Sequence, residues 1–155
     1  MKNIINIKIK YISILIGISG LIPFGFPLIE NVSENIFLNI EVIKFTIWYG
    51  IIILSFLSGT YWGLSLSFFI KKNKNLFYIL PILSLIPFFM AFSAILVPNF
   101  TNIIFLILGF SICQILDEIL YHLKYIYSWY ILLRRFLTVV VVTTLIYYYI
   151  ILSNV

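Results

Sequence analysis

Residues 47–70 read IWYGIIILSFLSGTYWGLSLSFFI. The stretch holds no charged residue. As a helix it would extend ~36 Å, more than the ~30 Å hydrocarbon core of a bilayer. Its middle is nevertheless small and polar. Ser55, Gly59, Gly63 and Ser67 fall four apart and so share one helix face. In lipid, small residues let two backbones approach closely, because packing replaces the hydrophobic effect there. This row is therefore expected to be a helix-packing seam, against another helix of this chain or of a partner. Ser13, Gly17 and Gly20 offer an internal counterpart. Ser58 and Thr60 can bond back to their own helix. A cavity lined by Thr60, Tyr61 and Trp62 is the functional alternative.

The rest of the chain has the same character. Of 155 residues, 63% are hydrophobic and 10% charged, and mean hydropathy is +1.16. A soluble domain carries about a quarter charged residues, so this chain could not cover itself with a polar surface. The expected architecture is all-α: an integral membrane helical bundle forming one transmembrane domain over 1–155. About five transmembrane helices are predicted, at 11–29, 45–70, 76–97, 102–121 and 135–152. The first follows lysines as a signal peptide would, but it is longer than a signal core and no A-x-A site follows, so it reads as a retained span.

Charge predicts orientation. Lys2, Lys8, Lys10, Lys71, Lys72, Lys74, Lys124, Arg134 and Arg135 fall on one side of a five-span chain, and Lys44 alone on the other. The positive-inside rule then puts the N-terminus inside and the C-terminus outside. The loop with Glu30, Glu34 and Glu41 lies outside, and Pro98-Asn99-Phe100-Thr101 links spans three and four. The basic pI follows from these flanking charges, so nucleic acid is not an expected partner.

Ionisable groups near a membrane interior need partners. Asp117 and Glu118 end the fourth span, and Arg134 and Arg135 open the fifth. The short link makes an antiparallel hairpin, so Asp117 is expected to pair with Arg134, and Gln114 to extend that network. Trp129 and Tyr130 suit an aromatic belt at headgroup level.

No catalytic constellation is visible. His122 is the single histidine and Cys113 the single cysteine, which excludes bis-histidine haem, HExxH sites and internal disulfides. No GxxxxGK[ST] or GxGxxG phosphate loop occurs. No cofactor, metal or enzymatic activity is expected.

Certain strings resemble a known family. They are Gly20-Leu21-Ile22-Pro23-Phe24, the SFLSGTYWG of Ser55–Gly63, Asp117, and the WYxxLRxxLT formed by Trp129, Tyr130, Leu133, Arg134, Leu137 and Thr138. Their order is similar to that of small multi-span proteins of unknown function from proteobacteria and mitochondria, a family that includes human transmembrane protein 69. The resemblance runs from about Gly20 to Thr138. It implies a bacterial or mitochondrial inner membrane, and marks Trp62, Trp129, Tyr130 and Thr138 as motif residues. The family's pattern has His where this chain has Tyr61, and favours Gly where it has Ser58.

Three functions follow as expectations. The first is a structural or assembly component of an inner-membrane complex, meeting the lipid bilayer and a protein partner, or a second copy, through the small-residue seam. The alternative is a small transporter or permeability factor acting as a homo-oligomer, motivated by Pro23, Pro27, Pro81 and Pro87 as helix breakers and by Asp117 with Arg134. A lipid- or quinone-directed enzyme ranks last.

Overall fold

Long apolar stretches become helices, because only a helix satisfies its own backbone in lipid. A computed structural model describes residues 2–30, 36–70, 74–97 and 101–153. It contains α1 (Lys2–Ser19), α2 (Ile22–Glu30), α3 (Ile36–Ile70), α4 (Lys74–Leu96), α5 (Asn102–His122) and α6 (Ser128–Ser153). Five helical segments among the described residues are long and apolar enough to cross a membrane, α1 and α2 together making the first. Lys71, Lys72, Glu34 and Pro98–Phe100 lie outside the described residues.

The helices alternate in direction. Tyr61 meets Asp117, and Gly50 and Gly109 meet Leu106 and Leu54. Residue numbers thus rise together along α3 and α5, which run parallel. Ser58 of α3 meets Ser84 of α4, and Lys44 and Ile47 border a cavity with Ala94 and Ile95, so α3 and α4 run antiparallel. Gly17 of α1 packs on Leu133 and Leu137 of α6, in parallel with it. This brings Lys8, Lys10, Lys124, Arg134 and Arg135 to one end of the bundle. Lys44 sits at the other, where Glu41 pairs with it at 2.8 Å one turn away.

Three expectations are corrected here. The first span is not one helix. Pro23 cannot donate to the carbonyl of Ser19, so the ladder stops at Gly20 and Leu21, and α2 restarts with Pro23 in its first turn. The freed carbonyls are met from other helices. Tyr49 donates to Gly20 at 3.2 Å and Thr46 to Pro23 at 3.0 Å, and Tyr148 adds a bond to Phe24 inside α2. The Thr46 bond fills a particular gap, since the helical donor to Pro23 would be residue 27, which is proline and has no N–H. Thr46→Val, nearly the same shape, should therefore lower stability by about 1–3 kcal/mol through the stranded carbonyl. The thermal midpoint in detergent is the readout.

The second correction concerns α4, which runs unbroken through Pro81 and Pro87. Hydroxyl donors add bonds along this stretch: Ser84 donates to the carbonyl of Pro81 at 2.6 Å, and Ser58 of α3 donates across to the carbonyl of Ser84. The third concerns the last span, which begins at Ser128, not near 135.

The core stripe of α3 is Ile47, Ile51, Leu54, Ser58, Tyr61, Ser65 and Phe68, all buried. The alternating steps of four and three are those of a left-handed bundle seam. Outward positions carry large apolar side chains, among them Leu15, Phe56, Ile82 and Val139.

Candidate functional site

The polar cluster is built on the α5–α6 hairpin. The α5 end is closed by a Schellman motif: Tyr125 N–H donates to Leu120 and Lys124 N–H to Tyr121. Lys124 takes the left-handed position with φ 61. Gly usually fills that position, and here a non-glycine residue bears the strain. The tight turn sets the register of α6 against α5 and places two acidic–basic rungs side by side.

The inner rung is Arg134 with Asp117, Nε to Oδ2 at 2.6 Å. Their side chains are only 8% and 4% exposed. The outer rung is Arg135 with Glu118, bidentate at 2.6 and 2.7 Å and half exposed on the arginine. The Arg135 guanidinium also lies 6.0 Å from the centre of the Tyr121 ring. The expected Asp117–Arg134 pair is present. Gln114 does not join it: its Nε2 donates to Glu118 at 2.9 Å. Residues 114 and 118 are one turn apart on the same face, whereas 117 points inward. Arg134 lies in the second turn of α6, deeper than a residue opening that helix.

The third member of the inner cluster is Tyr61. Its hydroxyl lies 3.0 Å from Asp117 Oδ1 and 2.8 Å from the carbonyl of Cys113. With one hydrogen to give, it donates to one acceptor at a time. Sequence reasoning set Tyr61 on a possible cavity wall but did not pair it with Asp117. The available signal was the four-three spacing that puts residue 61 in the core stripe. Asp117 thus has a donor within reach of each oxygen, while Nη2 of Arg134 is buried with no hydrogen-bond partner among the described residues.

Two cavities flank the cluster. One, of about 260 Å³, is walled by Thr60, Tyr61, Asp117, Tyr125, Trp129 and Tyr130. The other, of about 160 Å³, lies among α1, α2, α3, α5 and α6 and has Arg134 and Thr138 on its wall. The ion pair is a partition: Asp117 borders one cavity and Arg134 the other. Trp129 and Tyr130 belong to the first cavity wall.

The small-residue row lies elsewhere. Gly59 and Gly63 are exposed, and a Cβ on either would meet nothing within 4 Å. Trp62 between them is 54% exposed, and Ser55 and Ser67 are half-buried at its edges. An internal partner for this row is therefore excluded among the described residues, and Gly17 packs on α6 instead. Close approach inside the bundle occurs at Gly109, where a Cβ would sit 2.3 Å from Leu54 Cδ2 and 3.2 Å from Met90 Cβ. Among the described residues no three His, Cys, Asp or Glu side chains gather as a metal site would need.

A model of the DUF3429 family, described as protein of unknown function, matches residues 9–150. The chain belongs to this family. No curated protein and no solved structure matches it. In this DUF3429 protein the matched range includes both rungs of the hairpin, Tyr61, the exposed glycines and the residues of both cavities.

Proposed function

We propose that this DUF3429 protein is a structural or assembly component of an inner-membrane complex, docked through the outward face of α3. One observation carries the reading: Gly59 and Gly63 form a flat, small-residue strip that no helix among the described residues covers. Such a strip suits close backbone contact with a partner helix and makes a poor lipid surface. The membrane is a bacterial or mitochondrial inner membrane, and the family is the one that includes human transmembrane protein 69, on the strength of the Ser55–Gly63 and Trp129–Thr138 strings. The basic end of the bundle faces inside, so the N-terminus is inside and the C-terminus outside. No catalytic role is assigned.

Gly59→Leu with Gly63→Leu tests the docking. Both positions face open space, so the variant should keep the thermal midpoint of the parent. It should lose a partner protein that the parent retains stoichiometrically in mild detergent. A parent that elutes as a lone monomer, or a variant that keeps its partner, overturns the reading.

A second reading, a small transporter acting as a homo-oligomer, is supported by the cavities on either side of the Asp117–Arg134 partition. Proton or solute flux into liposomes, abolished by Asp117→Asn in correctly folded protein, would favour it.

A further inference from the structure

The larger cavity is walled by rings. Tyr61, Tyr125, Tyr127, Trp129 and Tyr130 all line it. Two of them meet at a square corner: Trp129 and Tyr130 stand at 88° to each other with centres 5.8 Å apart. Tyr125 is held edge-on by Phe68 of α3, at 4.6 Å between centres. Tyr61 is pinned through its hydroxyl to α5. These walls are in place before anything enters, which lowers the ordering cost of binding.

The cavity is also open. Tyr127 is 75% exposed, Thr60 is exposed, and Trp129 and Tyr130 are half-buried. The α5–α6 link supplies part of the wall, so the mouth lies at the end of the spans, where headgroups and water meet a bundle.

Electrostatics select the occupant. The face of an aromatic ring is the negative part of its quadrupole. Among the described residues Asp117 is the only charged one on the wall. Its side chain is too deeply buried to serve as a contact, but with Arg134 it forms a dipole. Asp117 borders this cavity and Arg134 does not, so the negative end is the nearer one. In a medium of low dielectric that field reaches through the wall. Rings and dipole together favour a cation and oppose an anion. A hard metal ion would need several oxygen ligands, and here the one carboxylate is already paired while Leu64 and Ile126 offer no ligand. An alkylammonium spreads its charge over carbon and suits rings and aliphatic side chains alike. The volume of about 260 Å³ exceeds the ~150 Å³ of an engineered cavity that holds benzene. It accommodates a trimethylammonium group with a short arm.

We propose that this cavity binds an organic ammonium group through cation–π contact with Trp129 and Tyr130. Two sources carry that chemistry: the headgroup of a zwitterionic phospholipid and a free soluble amine. The site stands whether or not a partner docks on the Gly59–Gly63 strip.

The test is calorimetric titration of the purified full chain, in a maltoside detergent, with choline and with its neutral isostere in which carbon replaces the nitrogen. The two have nearly the same shape, so only the charge differs. Choline should bind saturably and its isostere at least tenfold more weakly. Trp129→Leu and Tyr130→Leu each remove one ring and should weaken choline about tenfold or more. Trp48→Leu, beside the small cavity that also holds Lys44 and Asn102, should leave binding unchanged. Vesicles distinguish the sources. Choline binding that persists in phosphatidylglycerol vesicles but vanishes in phosphatidylcholine vesicles supports the site and names the lipid headgroup. Binding that persists in both supports the site and names a soluble amine. The isostere comparison needs no variant, so it decides even where a ring variant fails to fold. Absence of choline binding, equal binding of the isostere, or binding undiminished in either folded ring variant overturns the proposal.

Discussion

Asp117→Ala, with Arg134 left in place, should destabilise the protein by about 3–5 kcal/mol, because it strands a guanidinium in the bundle core. The pair is nearly sealed from its surroundings, so little solvent can compensate. The fall should appear as a large drop in thermal midpoint by intrinsic tryptophan fluorescence in detergent. Removing both charges together, as Asp117→Leu with Arg134→Met, should recover most of the loss, since two apolar groups of similar volume leave no orphan. The outer rung is the control. Glu118→Gln should shift the midpoint far less, because Arg135 is half exposed and can turn to headgroups or water. Equal effects from the two rungs would show that burial is not what matters at Asp117.

Gly109→Leu is the second large effect. The glycine is where α5 comes closest to α3 and α4, and the space for even a methyl is taken by Leu54. Leu54 is fully buried and has no free direction to retreat. Overpacking of this kind costs about 1–3 kcal/mol or more. Leu54→Ala in the same chain should restore part of it, because the two side chains compete for one volume. Loss of stability in Gly109→Leu that Leu54→Ala fails to relieve would place the strain elsewhere, Met90 being the next contact.

Some of this was legible in the residues and some was not. The spans were, because a run of apolar residues long enough to cross a bilayer has few other outcomes. The Asp117–Arg134 pair was too, since a short link between two helices forces their facing ends together. The buried face of α3 was not. In lipid both faces of a helix are apolar, so amphipathicity cannot say which is inside. Gly59 and Gly63 stood out by residue type, whereas the core stripe through Tyr61 declares itself only by its four-three spacing. Hydropathy passes through Pro23 without a change, so only the proline itself signals the break at Gly20, and Pro81 and Pro87 carry the same signal with no break. The start of α6 was set too late because Arg134 and Arg135 lie in its second turn, where a hydropathy reading draws the boundary. Gln114 went to the wrong carboxylate because spacing along α5 fits Glu118 better, at four residues, than Asp117, at three.

The hinge between α1 and α2 has a consequence for how the protein is made. Its freed carbonyls, those of Gly20 and Pro23, are capped by Tyr49 and Thr46 of α3. The α1–α2 segment therefore carries a polar flaw that it cannot repair itself. During synthesis the hinge waits, incomplete, for the following span. A chain that stops short of Thr46 and Tyr49 keeps both carbonyls open to its surroundings.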